Sequence, residues 1–165
     1  IMGYNYGAKN NKRLLKTYII CLIAALCIMT VGLLIFMFGA DLLLAIFNAQ
    51  GEVLTIGRQA LKIICLCFIP AAFGIISTTL FSAIGHGMKS LLMSLMRQII
   101  FLLPVAYALG LTAGLPYVWA CYPIAEYATA LIFIPITIRT IKNIFKNNRP
   151  MSYPDVQLLS PETEA

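Results

Sequence analysis

The stretch "TYIICLIAALCIMTVGLLIFMFGA", Thr17 to Ala40, runs for 24 residues without a charge. At ~1.5 Å of rise per residue, a helix of that length crosses the ~30 Å hydrocarbon core of a bilayer. The run is too long for a signal-peptide core. It also follows a Gly- and Asn-rich segment rather than a short basic start, so it is read as a span and not as a cleaved leader. A second uncharged run, Ile63 to Gly85, has 23 residues. Two further stretches of spanning length, Ser90 to Ala113 and Pro116 to Ile138, are interrupted by Arg97 and Glu126 and separated by the turn signal "GLTAGLP". The expected fold is all-α: a polytopic membrane helix bundle with about four transmembrane helices.

Composition agrees. A chain of 165 residues that is 61% hydrophobic and 11% charged, with mean hydropathy +0.89, cannot hide its apolar side chains in one soluble core, so a lipid bilayer must cover much of it. The net charge of +6 is not a nucleic-acid signature, because the bases are not interleaved with aromatics but cluster at the ends of apolar runs. Lys9, Lys12, Arg13 and Lys16 precede the first span, Lys89 separates the second from the third, and Arg139, Lys142, Lys146 and Arg149 follow the last. An even number of spans puts both chain ends on this basic face, which is expected to be cytoplasmic. The layout is then a basic segment over 1–16, a four-helix transmembrane part over 17–141, and a polar, Pro-punctuated tail over 142–165 that is expected to be disordered. In the connection on the opposite face, "DLLLAIF" is expected to form an interfacial helix. The five cysteines lie within apolar runs without CxxC spacing and are read as small buried hydrophobes.

The informative residues are the charges inside the spans. An ionisable side chain there costs roughly 2.5–3.5 kcal/mol on insertion scales, so it usually faces a protein interior or a water-filled cavity and finds a partner. From the turn at Thr112 and Ala113 it is 15 residues back to Arg97 and 13 forward to Glu126, a depth difference of roughly 3 Å, so the two charges meet if the helices are neighbours. Two readings stay open. In one, the pair is a constitutive bridge that fixes helix register, or Arg97 snorkels to the headgroups. In the other, Glu126 borders an aqueous cavity and takes up and releases a proton or cation.

Pro70, Pro104, Pro123 and Pro135 fall within these spans, and each removes a backbone hydrogen bond, which suggests hinges or a lined cavity. Trp119, Tyr122, Pro123, Glu126 and Thr129 share one helical stripe; Arg97, Phe101, Pro104 and either Tyr107 or Ala108 share another. Aromatic stripes around a carboxylate suit lipophilic cations, although such stripes more often simply pack. His86, in "GHG", is read as an exposed turn residue, and Ser77, Thr78 and Thr79 as bonding back to their own helix. No catalytic triad, phosphate loop, metal motif or cofactor site is evident, so an enzyme is not expected.

"GYNYGAKNNKR" (Gly3 to Arg13) resembles the motif by which the eighth helix of multidrug and toxin extrusion (MATE) transporters ends in the cytoplasm. "LFSAIGHGMKSLLMSLMRQIIFLLPVAY" resembles the passage from helix ten into helix eleven, including Arg97, Gln98 and Pro104. "WACYPIAEYAT" is similar to the start of helix twelve, where related bacterial members often show Pro, two residues, then Asp or Glu. The resemblance covers nearly the whole chain apart from the tail, and the chain begins in mid-motif. It implies the last four helices of a twelve-helix, two-lobe transporter in the bacterial inner membrane, whose partner is an N-terminal lobe absent here. The family exports cationic or amphipathic drugs in exchange for protons or sodium ions. Some members carry a coupling carboxylate on helix ten, but the matching run Ile63 to Gly85 has no acidic residue. Glu126 is therefore the ion-coupling candidate, Arg97 and Gln98 its internal polar partners, and Tyr107, Trp119 and Tyr122 the substrate-cavity candidates. The rivals are a related flippase for lipid-linked sugars, for which a cavity richer in cations is expected, and a small four-helix membrane scaffold.

Overall fold

The computed structural model describes residues 1–147 apart from Ala49 and Ala113. The short α1 (Met2–Gly7) is followed by α2 (Asn11–Phe38), α3 (Ala40–Ile46), α4 (Glu52–Ile64), α5 (Phe68–Ala83), α6 (Gly87–Leu95), α7 (Leu103–Thr112), α8 (Leu115–Val118) and α9 (Cys121–Asn147). Among the described residues there is no strand. Four stretches of the described residues are long and apolar enough to cross a membrane: Asn11–Phe38, Glu52–Ala83, Gly87–Thr112 and Pro116–Lys146. The expected polar tail beyond residue 147 lies outside the described residues.

The first span begins six residues before its uncharged run, because Asn10 caps α2 by accepting the Arg13 backbone N–H at 3.1 Å. Lys12, Arg13 and Lys16 thus stand on the opening turns of the helix. The "DLLLAIF" segment folds largely as α3, and Asp41 on it pairs with Arg58 of α4 at 2.6 Å. Tight reversals join spans two to three and three to four, at Gly85 (φ 79°) and Gly114 (φ 80°). Both angles belong to the left-handed region, where a Cβ is strained and glycine is not.

The prolines act in different ways. Before Pro70 the chain tightens into a 3₁₀ turn, Cys65–Cys67, and before Pro104 it widens into a π segment, Met96–Leu102. Each change accommodates a ring that offers no N–H and crowds the carbonyl four residues back. Pro135 is carried within α9. Pro123, expected to break span four, sits instead in the first turn of α9, where its missing N–H disturbs no intrahelical bond. The actual break is just upstream, at Trp119–Ala120 between α8 and α9.

Helix α5 packs against α2, α6 and α9. The core gathers near the basic end, around Leu14, Leu80, Phe81, Met93 and Phe133, each at most 2% exposed. Two polar ties fix this end. Asn11 Nδ2 donates to the Ile144 carbonyl at 3.0 Å, joining α2 to α9, and the Tyr18 hydroxyl shares a buried hydrogen bond of 3.1 Å with Ser77 Oγ, joining α2 to α5. The remaining apolar surface faces outward: Ile28, Phe38 and Leu131 are all more than 70% exposed, as lipid-facing side chains are in a four-helix piece.

Candidate ion site

Arg97 projects from the π segment and Glu126 from the second turn of α9. The Arg97 guanidinium donates through Nη1 to Glu126 Oε1 at 3.1 Å, with the two side chains 32% and 14% exposed. The π segment bears on this directly. A widened turn places its side chains off the regular helical stripe, and such segments recur where a functional group must be aimed.

The pair borders a narrow cleft of about 10 Å³ between α5, α6 and α9, room for about one water molecule. Its other walls include Pro70, Gly74 and Thr78 of α5, Ser94 of α6 and Thr129 of α9. A Cβ on Gly74 would stand 3.7 Å from Glu126 Oε2, in ordinary van der Waals contact, so α5 passes close beside this carboxylate oxygen. Thr78 Oγ1 shares its one proton between the carbonyls of Gly74 and Ile75, at 3.0 and 2.9 Å, and Thr129 Oγ1 donates to that of Ala125 at 2.7 Å. Both hydroxyl protons are thus committed to helix carbonyls, and the accessible lining of the cleft is mostly apolar, with the Arg97–Glu126 pair at its edge.

The structure therefore brings together Arg97, Glu126, Thr129 and Pro70 of the residues singled out by sequence, places Thr78 beside them, and adds Gly74 and Ser94. It does not bring in the rest. Gln98, expected beside Arg97 as an internal partner, is exposed, because the next residue along a helix points about a quarter-turn or more away. Tyr107 is 72% exposed, and neither Trp119, Tyr122, Pro104 nor Pro123 lines the cleft. Trp119 precedes α9, in the turn between α8 and α9; Tyr122 stands within α9, four residues before Glu126, and still does not line the cleft. The Trp119 indole Nε1 is buried without a hydrogen-bond partner among the described residues. A signal for the missed wall was present in α5, where Pro70, Gly74 and Thr78 recur at intervals of four as small or polar residues in an apolar helix.

Two other sequence expectations separate here. Thr78 and Thr79 bond back to their own helix as expected, but Ser77 turns to Tyr18. His86 is half-buried at the start of α6, with Nδ1 3.5 Å from Lys89 Nζ, and Lys89 also donates to Thr140 Oγ1 at 3.2 Å. Burial, and then the Lys89 charge, hold the His86 pKa below the ordinary imidazole value.

The family model MatE matches residues 1–108. No curated protein matches the chain. Solved structures do. An inward-facing conformation of a multidrug resistance MATE family transporter of the MOP superfamily aligns with TM-score 0.82 and 22% identity, over 90% of this chain and 35% of that one. An outward-facing conformation of a transporter described in the same words aligns with TM-score 0.82 and 23% identity, over 88% and 33%. A MATE in complex with MaL6 aligns with TM-score 0.81 and 23% identity, over 88% and 34%. The chain spans about a third of the length of these proteins and shares the fold of that third.

Proposed function

Since this chain belongs to the MatE family, we propose that it forms the last four spans of a bacterial cation-coupled multidrug antiporter, with Glu126 as its ion-coupling carboxylate. The observation that carries the reading is the Arg97–Glu126 pair at the edge of a narrow cleft inside the bundle. A proton or sodium ion reaching Glu126 neutralises a carboxylate that Arg97 otherwise neutralises. The two cations compete for one anion in a medium of low dielectric, so occupancy by the ion loosens the tie between the π segment and α9. If the outward-open arrangement tolerates that loosening better than the inward-open one, ion binding biases the equilibrium outward by the difference. Cationic or amphipathic compounds then leave from a cavity between this unit and an N-terminal lobe.

The basic end, with Lys12, Lys16, Lys89, Arg139, Lys142 and Lys146, faces the cytoplasm of a plasma membrane in this reading. The similar fit of the four spans to an inward-facing and an outward-facing structure is what a unit that moves as one body would give.

The test is ion-driven ethidium efflux from vesicles containing the full-length chain, comparing Glu126→Gln with the parent at matched expression. Gln keeps the shape and an acceptor for Arg97 but cannot carry the exchangeable charge. Efflux is expected to fall at least tenfold while ethidium binding is retained. Unchanged efflux would make Glu126 a structural partner of Arg97 and place ion coupling elsewhere.

A further inference from the structure

At the basic end, the outer face of α2 meets the end of α9 in a groove of about 340 Å³ lined by Lys12, Leu15, Lys16, Ile19, Ile20 and Phe145. Polar and apolar groups are sorted along it. Lys12 and Lys16 lie one turn apart on one face at the mouth, and Ile19 and Ile20 continue that face about 5–12 Å further into the span. Phe145, from α9, forms the facing wall. The walls are fixed relative to each other by the Asn11–Ile144 hydrogen bond and by Leu14, which is fully buried beneath them.

The two lysines are exposed and repel each other across one turn. None of the three carboxylates among the described residues answers them: Asp41 and Glu52 belong to the opposite end, and Glu126 is bound to Arg97 inside the bundle. The mouth of the groove is thus an anion site at headgroup level, and its floor is an apolar channel at acyl-chain depth. We propose that this groove binds an anionic phospholipid, its phosphate between Lys12 and Lys16 and one acyl chain along Ile19 and Ile20 against Phe145. Basic recesses between spans are suited to anionic headgroups on general electrostatic grounds. Here the apolar floor requires that the phosphate arrive attached to a chain. The inference rests on the chain spanning a membrane and not on the transport reading.

The experiment is tryptophan quenching in the full-length chain reconstituted in vesicles. Trp119→Phe removes this chain's single indole, and Phe145→Trp places a reporter on the groove wall. Lipids brominated near the top of the acyl chain are supplied as either phosphatidylglycerol or phosphatidylcholine at equal mole fraction. The anionic lipid is expected to occupy the groove roughly tenfold or more in preference. That preference should collapse to parity in Lys12→Gln/Lys16→Gln, while a Phe38→Trp reporter at the opposite end of α2 should be quenched equally by both lipids throughout. Four results would overturn the proposal: parity at position 145 in the parent, a preference that survives loss of both lysines, no quenching by either lipid, or a preference seen only after removal of residues 148–165. The third would mean that protein covers the groove, and the last that the chain's own acidic tail fills it.

Discussion

Two ion pairs in this molecule have opposite surroundings. Asp41 and Arg58 meet at 2.6 Å with side chains 65% and 48% exposed, whereas Arg97 and Glu126 meet at 3.1 Å with side chains 32% and 14% exposed. Ranked by distance, the outer pair is the stronger. Ranked by consequence, it is the weaker. Water screens the outer charges whether or not they touch, so such a pair contributes ~0.2–1 kcal/mol. Around the inner pair there is little water to take over when one partner is lost, and breaking such a pair from one side costs ~3–5 kcal/mol. Surroundings, rather than separation, decide what a salt bridge does.

The sharpest way to break the comparison is Arg97→Met, which leaves the Glu126 carboxylate without its neutralising partner. The expected loss is ~3 kcal/mol, read as a lower midpoint in detergent unfolding of the full-length chain. Adding Glu126→Gln should recover most of it, because an uncharged amide in the same place needs no counter-ion. Charge reversal at both positions should likewise restore what either reversal alone removes. A single Arg97→Met that unfolds like the parent would show that water reaches Glu126 freely, and the contrast between the two pairs would disappear.

The inner pair is legible in the amino-acid sequence, and the reason is arithmetic. A turn fixes the origin, rise per residue fixes the depth, and two opposite charges at similar depth on consecutive spans have few other partners. The four spans are legible for the same reason, since length and hydropathy are one-dimensional. What surrounds the pair is not. A proline signals a missing hydrogen bond, but not whether the helix answers by tightening, as before Pro70, or by widening, as before Pro104. The aromatic stripe assumes one continuous helix, and the turn at Trp119–Ala120 takes Trp119 out of it while Tyr122 stays in α9 with Glu126. Gly74 carries no charge or aromatic signal at all. Its part in the cleft depends on α5 lying across from Glu126, which only packing determines.

Between the two ion pairs stands a neutral one. Tyr18 and Ser77 are 5% and 0% exposed and share a single hydroxyl–hydroxyl bond. Tyr18→Phe removes one hydroxyl and strands the other, for an expected cost of ~1–2 kcal/mol. Combining it with Ser77→Ala should cost little more than the single change, since no orphaned hydroxyl remains. Strict additivity in that double-mutant cycle would mean that Ser77 finds another partner when Tyr18 is truncated.

The smallest effect belongs to the outer pair, and the choice of residue matters. Asp41 lies in the first turn of α3, whose N-cap, Gly39, supplies no side-chain cap, so its charge also answers the exposed amide dipoles there. Removing Asp41 would mix that contribution with the pair. Arg58→Gln leaves it in place and reports the pair alone. The expected loss is below ~1 kcal/mol at low ionic strength and should shrink toward nothing as salt is raised, because exposed charges are screened within ~10 Å at 0.1 M. The corresponding loss for Arg97→Met should hardly respond to the salt of a bulky cation such as choline, which a cleft with room for about one water does not admit. A salt-insensitive loss at Arg58 would mean that the outer connection is itself shielded, by lipid or by another part of the protein. The two pairs would then differ in depth but not in kind.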